Sequence, residues 1–340
     1  MSLTVMEMVH EKAKKLNRKI CLTESDDPRN LKAAARLVET GYARPVLVGN
    51  GAAIEKLARE QSIDLRGVEI ADTYNWPRFS QYVEFVVENR KNKGMTSALA
   101  REWLMDTCAF AAAMVCAGDA HGYVSGGGNP KGYNHNTGSK IKPALQLFKT
   151  APGIRIASAY FIMQLSNKDL GFNGALFYAD CGLNINPTAD QLADIAIATA
   201  RTFKSLTDAE PRVGMICAST KGSAKDPIID KVIEATAKAK AMAPEFKIDG
   251  EFQFDAAIVP EIGARKAPGS EIAGHCNVLI FPDLNCGNTI YKATERLALA
   301  VATGPLVQGL RRPFNDVSRG CSSDDIVDCA AMAAITEWTD

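Results

Sequence analysis

The sequence predicts an α/β protein with largely parallel sheets, organised as two domains. Short apolar runs recur along the chain, and each is followed by a stretch whose apolar residues fall at helical spacing. Several of those helical stretches carry their own start and stop residues. A chain of 340 residues also exceeds what one small core organises, which divides it into two domains of moderate size.

Taken in order, Lys19 to Thr23 reads as a first strand. Pro28 to Glu39 follows as a helix, with Leu31, Ala34, Ala35 and Val38 on one face and Gly41 as its stop. Pro45 to Gly49 is a second strand, and a helix lies around Ala52 to Gln61. Gln81 to Lys93 is helical until Gly94, and Thr96 caps a helix running through Trp103 to Val115. Between Ala117 and Lys142 glycines crowd a segment that also holds His121, Asn134, His135 and Asn136. So much glycine allows close backbone approach to a ligand, or simply makes loops. The run matches neither G-x-G-x-x-G after a strand nor G-x-x-x-x-G-K-[ST], so dinucleotide-binding and NTPase readings gain nothing from it.

Pro143 opens the next helix, Gly153 to Phe161 reads as a strand, and the crossing into a second domain is placed there. Further strands are predicted at Ala175 to Ala179, Arg212 to Cys217, Asp255 to Val259 and Val278 to Phe281. Thr188 with Gln191 marks a helix start whose buried stripe is Leu192, Ile195, Ala196, Thr199 and Phe203. Helices are also predicted at Val232 to Ala243 and at Thr289 to Ala302, the latter carrying Arg296. Ser219 to Ser223 forms a polar loop beyond a strand's carboxyl end, where ligands bind in open α/β sheets.

Charge narrows the function. Lys+Arg and Asp+Glu both number 39, so no bulk field recruits nucleic acid or an anionic membrane. No apolar run is long enough to span a bilayer, and Met1 to Asn17 lacks the pattern of a signal peptide. The nine cysteines are scattered without C-x-x-C spacing, which reads as reduced thiols and a cytoplasmic location.

The chemistry concentrates near the C-terminus, in Asn315-Asp316-Val317-Ser318-Arg319-Gly320-Cys321-Ser322-Ser323-Asp324-Asp325-Ile326. Ser322 suits an N-cap and Asp325 the third helical position of a capping box, before an apolar face of Ile326, Val327, Cys329, Ala330, Ala333 and Ala334. A helix start offers unpaired N–H groups and partial positive charge, and Arg319 adds a planar fork matched to phosphate. The plainer alternative makes Asp325 only a cap and Arg319 only a surface cation.

Several segments together resemble the phosphate acetyl/butyryl transferases, nearest the phosphate acetyltransferases (phosphotransacetylases). They are Asn184 to Thr188, Ser219 to Ala224, Ile248 to Glu251, Lys266 to Ser270, Val278 to Asn288, Gly304 to Gly309 and Asn315 to Val327. The resemblance implies a fold similar to the isocitrate and isopropylmalate dehydrogenases: two α/β/α domains with a cleft between them. Residues 1–152 plus 304–340 would form one, residues 153–303 the other, in a homodimer. The implied reaction is acetyl-CoA plus phosphate giving CoA plus acetyl phosphate, with no metal and no cofactor beyond CoA as substrate. It places the catalytic residues at Ser318, Arg319 and Asp325, and coenzyme-contacting arginines at Arg296 and Arg90. Lys142 stands where the family has an arginine before Pro-Ala, His135 and Thr137 sit in the matching H-x-T segment, and Ser219 is a further candidate lining residue. Residues 128–133 are an insertion relative to the family's pattern.

Acyl transfer between a thiol and phosphate needs a base, an anion clamp and oxyanion donors. Asp325 would be the base, with the other two roles at Ser318, Arg319 and the helix start. An ordinary aspartate ionises near about pH 4 and a thiol near about 8.5, so either burial raises the carboxyl or the proton moves late. Cys321 suggests an acetyl-cysteine route, against which stands its reading as a small packed residue. A butyryl- or branched-acyl transferase, a metal-dependent dehydrogenase of the same fold and a non-catalytic binding protein are the competing functions.

Overall fold

The computed structural model describes residues 3–126 and 137–339, with residues 137–139 described by backbone alone. The chain forms two compact units, one of Val9–Thr150 with Leu310–Asp340 and the other of Met1–Met8 with Ala151–Gly309. The elements up to the division are α1 (Val5–Leu16), β1 (Lys19–Leu22), α2 (Pro28–Thr40), β2 (Arg44–Gly49), α3 (Gly51–Glu60), β3 (Glu69–Asp72), α4 (Phe79–Arg90), α5 (Ser97–Trp103), α6 (Thr107–Cys116), β4 (Gly122–Gly126) and α7 (Thr137–Leu147). There follow β5 (Ser158–Gln164), β6 (Ala175–Ala179), α8 (Ala189–Thr207), β7 (Arg212–Ile216), α9 (Pro227–Met242), β8 (Lys247–Phe252), α10 (Phe254–Ile258), α11 (Pro260–Lys266), β9 (Val278–Ile280), α12 (Leu284–Leu297) and β10 (Val301–Gln308). The chain then closes with β11 (Phe314–Val317) and α13 (Ser323–Ile335).

The unit that holds both β1 and β11 has a five-stranded sheet in the order β11-β4-β1-β2-β3, every pairing parallel. Its central strands are largely buried because helices cover them: α2 packs with α13, and α6 with α7. Helix α2 starts where the sequence dictates. Asp27 accepts from the Arg29 amide, Pro28 takes the first helical position, and Gly41 ends the helix at φ 72°. Gly126, at the end of β4, lies so close to β11 that a Cβ there would meet Val317 Cγ2 at 1.8 Å. That approach brings the ends of β4 and β11 together, immediately before Ser318.

The other unit has six strands in the order β10-β5-β6-β9-β7-β8. Here the expectation of largely parallel sheets holds for β6, β9, β7 and β8, whereas β5 pairs antiparallel with both β6 and β10. Its core includes Phe161, Met163, Leu176, Tyr178, Phe252, Leu279 and Phe281.

Several boundaries differ from the sequence reading, and the helix predicted from Thr96 through Trp103 to Val115 is two helices, α5 and α6, because Asp106 caps a new start by accepting from the Ala109 amide. Asp255 to Val259 is helical, as α10, not a strand: two alanines and the start of α11 at Pro260 favour helix over so short a run. Pro143 lies inside α7 instead of opening a helix. Helix α12 is capped by Asp283 and ends at Leu297, and the residues beyond it form β10. That strand pairs with β5 with a register shift between Thr303 and Leu306, where Pro305 is tolerated on an edge strand. The units therefore divide at Thr150/Ala151 and at Gly309/Leu310, where the sequence placed the divisions after 152 and before 304.

Candidate active site

The parallel strands β1, β4 and β11 end side by side, and the candidate residues Ser318, Arg319 and Asp325 follow the end of β11. Beyond β11 the chain turns tightly through Ser318-Arg319-Gly320-Cys321, with the Cys321 amide donating to the Ser318 carbonyl at 3.1 Å, and then enters α13. The helix start is a capping box. Ser322 Oγ accepts from the Asp325 amide at 3.2 Å, while Asp325 Oδ2 accepts from the Ser322 amide at 2.8 Å and from its hydroxyl at 3.0 Å.

A second arginine shapes this turn. Arg29, in the first turn of α2, places Nη1 2.8 Å from both the Arg319 and the Cys321 carbonyl oxygens. Its Nε and Nη2 donate to Asp27, with Nη2 at 2.8 Å from Oδ2. That hydrogen bond raises the Arg29 pKa further above its already high value. One guanidinium thus ties the first helix of the sheet to the loop after its last strand, and Arg36 adds an exposed ion pair to Asp324 at 2.6 Å.

Ser318 and Arg319 are exposed, and the Arg319 guanidinium makes no ion pair or hydrogen bond among the described residues. It belongs to the turn that leads into α13, and a cation ahead of a helix start is an arrangement suited to an anion. Asp325 is exposed as well. Cys321 is buried, and burial pushes its thiol up, so thiolate is scarce there at neutral pH.

Under this surface lies a buried ion cluster. Lys140 of α7 is 2% exposed, with Nζ 3.1 Å from Glu24 Oε1 and 3.2 Å from Asp316 Oδ1. Both carboxylates are almost as deeply buried. Burial opposes the ammonium charge, but Asp316 and Glu24 outweigh it and hold the Lys140 pKa above that of an ordinary lysine.

A family model described as phosphate acetyl/butaryl transferase matches residues 4–334. The chain belongs to this family. It is 47% identical over 333 residues to a phosphate acetyltransferase of Acetivibrio thermocellus, covering 98% of each chain. A crystal structure of a phosphotransacetylase from Streptococcus pyogenes superposes with a TM-score of 0.90 at 40% identity, covering 98% of each chain. A 4-hydroxythreonine-4-phosphate dehydrogenase from Klebsiella pneumoniae shares the fold alone, at 11% identity and TM-score 0.53, covering 94% of this chain and all of that one.

For this phosphate acetyl/butyryl transferase family member, Ser318, Arg319 and Asp325 fall together on one turn and one helix start. Arg90 ends α4, with its guanidinium 5.4 Å from the Trp103 ring and its Nε buried without a hydrogen-bond partner among the described residues. Lys142 is exposed on α7, whereas its neighbour Lys140 is the buried, ion-paired lysine. Thr137 opens α7 and its side chain is not described; His135 and the 128–133 insertion lie outside the described residues.

Ser219 and Arg296 belong to the other unit. Arg296 is exposed in the last turn of α12, 3.6 Å from Glu295. Ser219 is fully buried, so it is not an open ligand contact: its hydroxyl donates to Glu251 Oε1 at 2.9 Å and accepts from the Ala224 amide at 3.2 Å. Glu251 and Gln253 brace this loop from the end of β8, leaving Lys221 to Ala224 as its exposed face.

Sequence reading passed over Arg29, Lys140, Glu24 and Asp316. A signal for two of them, Glu24 and Arg29, is present: charged residues cluster directly after the first strand, and ligand sites in parallel sheets gather at strand carboxyl ends. Among the described residues no group of three or more His, Cys, Asp or Glu side chains is placed to hold a metal ion, and no helix is long and apolar enough to cross a membrane.

Proposed function

We propose that this chain is a phosphate acetyltransferase, moving an acetyl group reversibly between CoA and inorganic phosphate. The observation that carries the reading is the turn after β11, where an unpaired arginine, a serine hydroxyl and a helix start stand beside an exposed carboxylate. The 47% identity to a phosphate acetyltransferase over nearly the whole chain supports the same activity.

In the direction that consumes acetyl phosphate and forms acetyl-CoA, Arg319 and the N-terminus of α13 bind the phosphoryl oxygens. Asp325 has one carboxylate oxygen engaged in the cap, and its Oδ1 takes the proton of the coenzyme thiol. The sulfur attacks the acetyl carbonyl carbon, the developing oxyanion is met by Ser318 and Arg319, and the carbon–oxygen bond to phosphate breaks. The proton moves late, as the carbon–sulfur bond forms. Cys321 takes no covalent part, since its thiol is buried and hard to ionise.

Arg90 and Arg296 are the proposed coenzyme contacts, with Lys142 as a single flexible cation in support. No metal or further cofactor enters this scheme. Acetyl is the favoured acyl group over butyryl because of the named relative's identity. All nine cysteines are free thiols, in keeping with a reducing cytoplasm. A homodimer is supported by Leu297, Leu299 and Val301, which are 86%, 82% and 66% exposed where α12 runs into the edge strand β10.

The test is thioester formation from CoA and acetyl phosphate, followed with acetyl, propionyl and butyryl phosphates, with and without chelator. Acetyl phosphate should give the highest kcat/KM and chelator should change nothing. Absence of turnover with every acyl phosphate would remove the proposal.

A further inference from the structure

We propose that Lys140 is a positioning residue for acetyl transfer: its bridge between Glu24 and Asp316 fixes where β11 ends and so where Ser318 and Arg319 stand. The inference rests on the active-site reading above and deepens it.

The geometry singles out this lysine. Glu24 lies two residues past the end of β1, and Asp316 is the third residue of β11. The ammonium of Lys140 reaches both at 3.1 and 3.2 Å, from a helix that follows the strand lying between them in the sheet. Asp316 is two residues before Ser318, separated from it only by Val317, the last residue of β11. Any shift of Asp316 therefore passes directly into the placement of Ser318.

Burial makes the bridge consequential. A surface ion pair contributes little, but two carboxylates at 6% and 5% exposure without a cation would repel each other in a poorly solvated site. They would either separate, displacing the end of β11, or share a proton. Other titratable groups lie near Lys140 among the described residues. Tyr123, whose hydroxyl donates to the Lys140 carbonyl at 3.3 Å, and Cys108, pushed up to about 12, are both held neutral, mainly by burial. Arg29 feels the field of Glu24 but is committed to Asp27 and to the Arg319 and Cys321 carbonyls. Asp106 contributes only further negative charge.

The experiment is steady-state kinetics on the full chain with acetyl phosphate and CoA, for wild type, Lys140→Met, Lys140→Arg and Asp316→Asn, with a thermal melt of each. Lys140→Met should lower kcat about thirtyfold while both KM values stay within about threefold. Its kcat relative to wild type should rise about tenfold between about pH 8 and about pH 6, as the carboxylate pair gains the proton that replaces the lysine charge. Lys140→Arg should restore most of the rate and remove the extra pH dependence. Asp316→Asn keeps the lysine charge but cuts the bridge to β11, so it should also lose kcat while still folding. A Lys140→Met enzyme with wild-type kcat, or a loss that is constant with pH and not recovered by arginine, contradicts the inference. If Lys140→Met does not fold, Asp316→Asn with undiminished kcat contradicts it. A wild type inactive toward acetyl phosphate instead removes the function proposed above, so the two failures are distinct.

Discussion

Asp325 and Ser322 share one carboxylate oxygen between two hydrogen bonds: Oδ2 receives both the Ser322 amide and the Ser322 hydroxyl, at 2.8 and 3.0 Å. The cap consumes one side of the carboxylate and orients the other. A residue that sequence alone reads as either a cap or a base is seen here as a cap, and under the proposed function the same bonds would aim the base.

The first prediction follows from that division. Asp325→Asn can keep its amide oxygen in the cap but has no basic oxygen to offer. It should lower kcat by about 10²–10⁴ with substrate KM values within a few-fold, and melt within a few degrees of wild type. Near-normal kcat would exclude Asp325 as the base.

For Arg319 the expectation concerns shape more than charge. Arg319→Lys retains the cation beside the start of α13 but loses the planar fork, and should lose most of the activity. A mild rate change would mean that simple charge attraction suffices.

Cys321 supplies a pH test. Its folded pKa is raised, burial being the main cause, so at neutral pH it holds less thiolate than an ordinary cysteine, and the fraction grows only as pH rises toward the raised value. Alkylation of Cys321 should be slower than that of a small free thiol at about pH 7.5 and accelerate as the solution is made more alkaline. Cys321→Ala should keep substantial activity. An acetylated Cys321 isolated on the path to product would overturn the direct-transfer scheme.

Arg29 is expected to matter without touching substrate. A lysine there cannot hold Asp27 and two carbonyl oxygens with one fork, so Arg29→Lys should cost about 1–3 kcal/mol of stability. It should also reduce kcat more than KM. Urea melts and initial rates measure both, and unchanged values would show that the turn holds its form without the strap.

Much of this was legible in the sequence because its signals are local. The capping pair Ser322 and Asp325, the Thr188 and Gln191 pair, and the apolar run of β2 each rest on neighbours a few residues away. What escaped depends on distant partners. Lys140 and Arg29 acquire meaning only when the sheet order sets β1, β4 and β11 side by side, and Ser219 looked like an open ligand contact until Glu251 was placed against it. The α10 segment was misread because five residues are too few to tell strand from helix by period. β10 was hidden by its Gly304-Pro305, which suggests a turn in a chain without visible partners.

We propose that acetyl passes directly between phosphate and CoA at the Ser318–Asp325 turn, with no acetyl-enzyme. Initial velocities measured over a grid of CoA and acetyl phosphate concentrations test it most directly. Intersecting double-reciprocal lines are predicted, for the wild type and for Cys321→Ala alike. Parallel lines in the wild type, accompanied by phosphate release from acetyl phosphate before CoA is added, would contradict it.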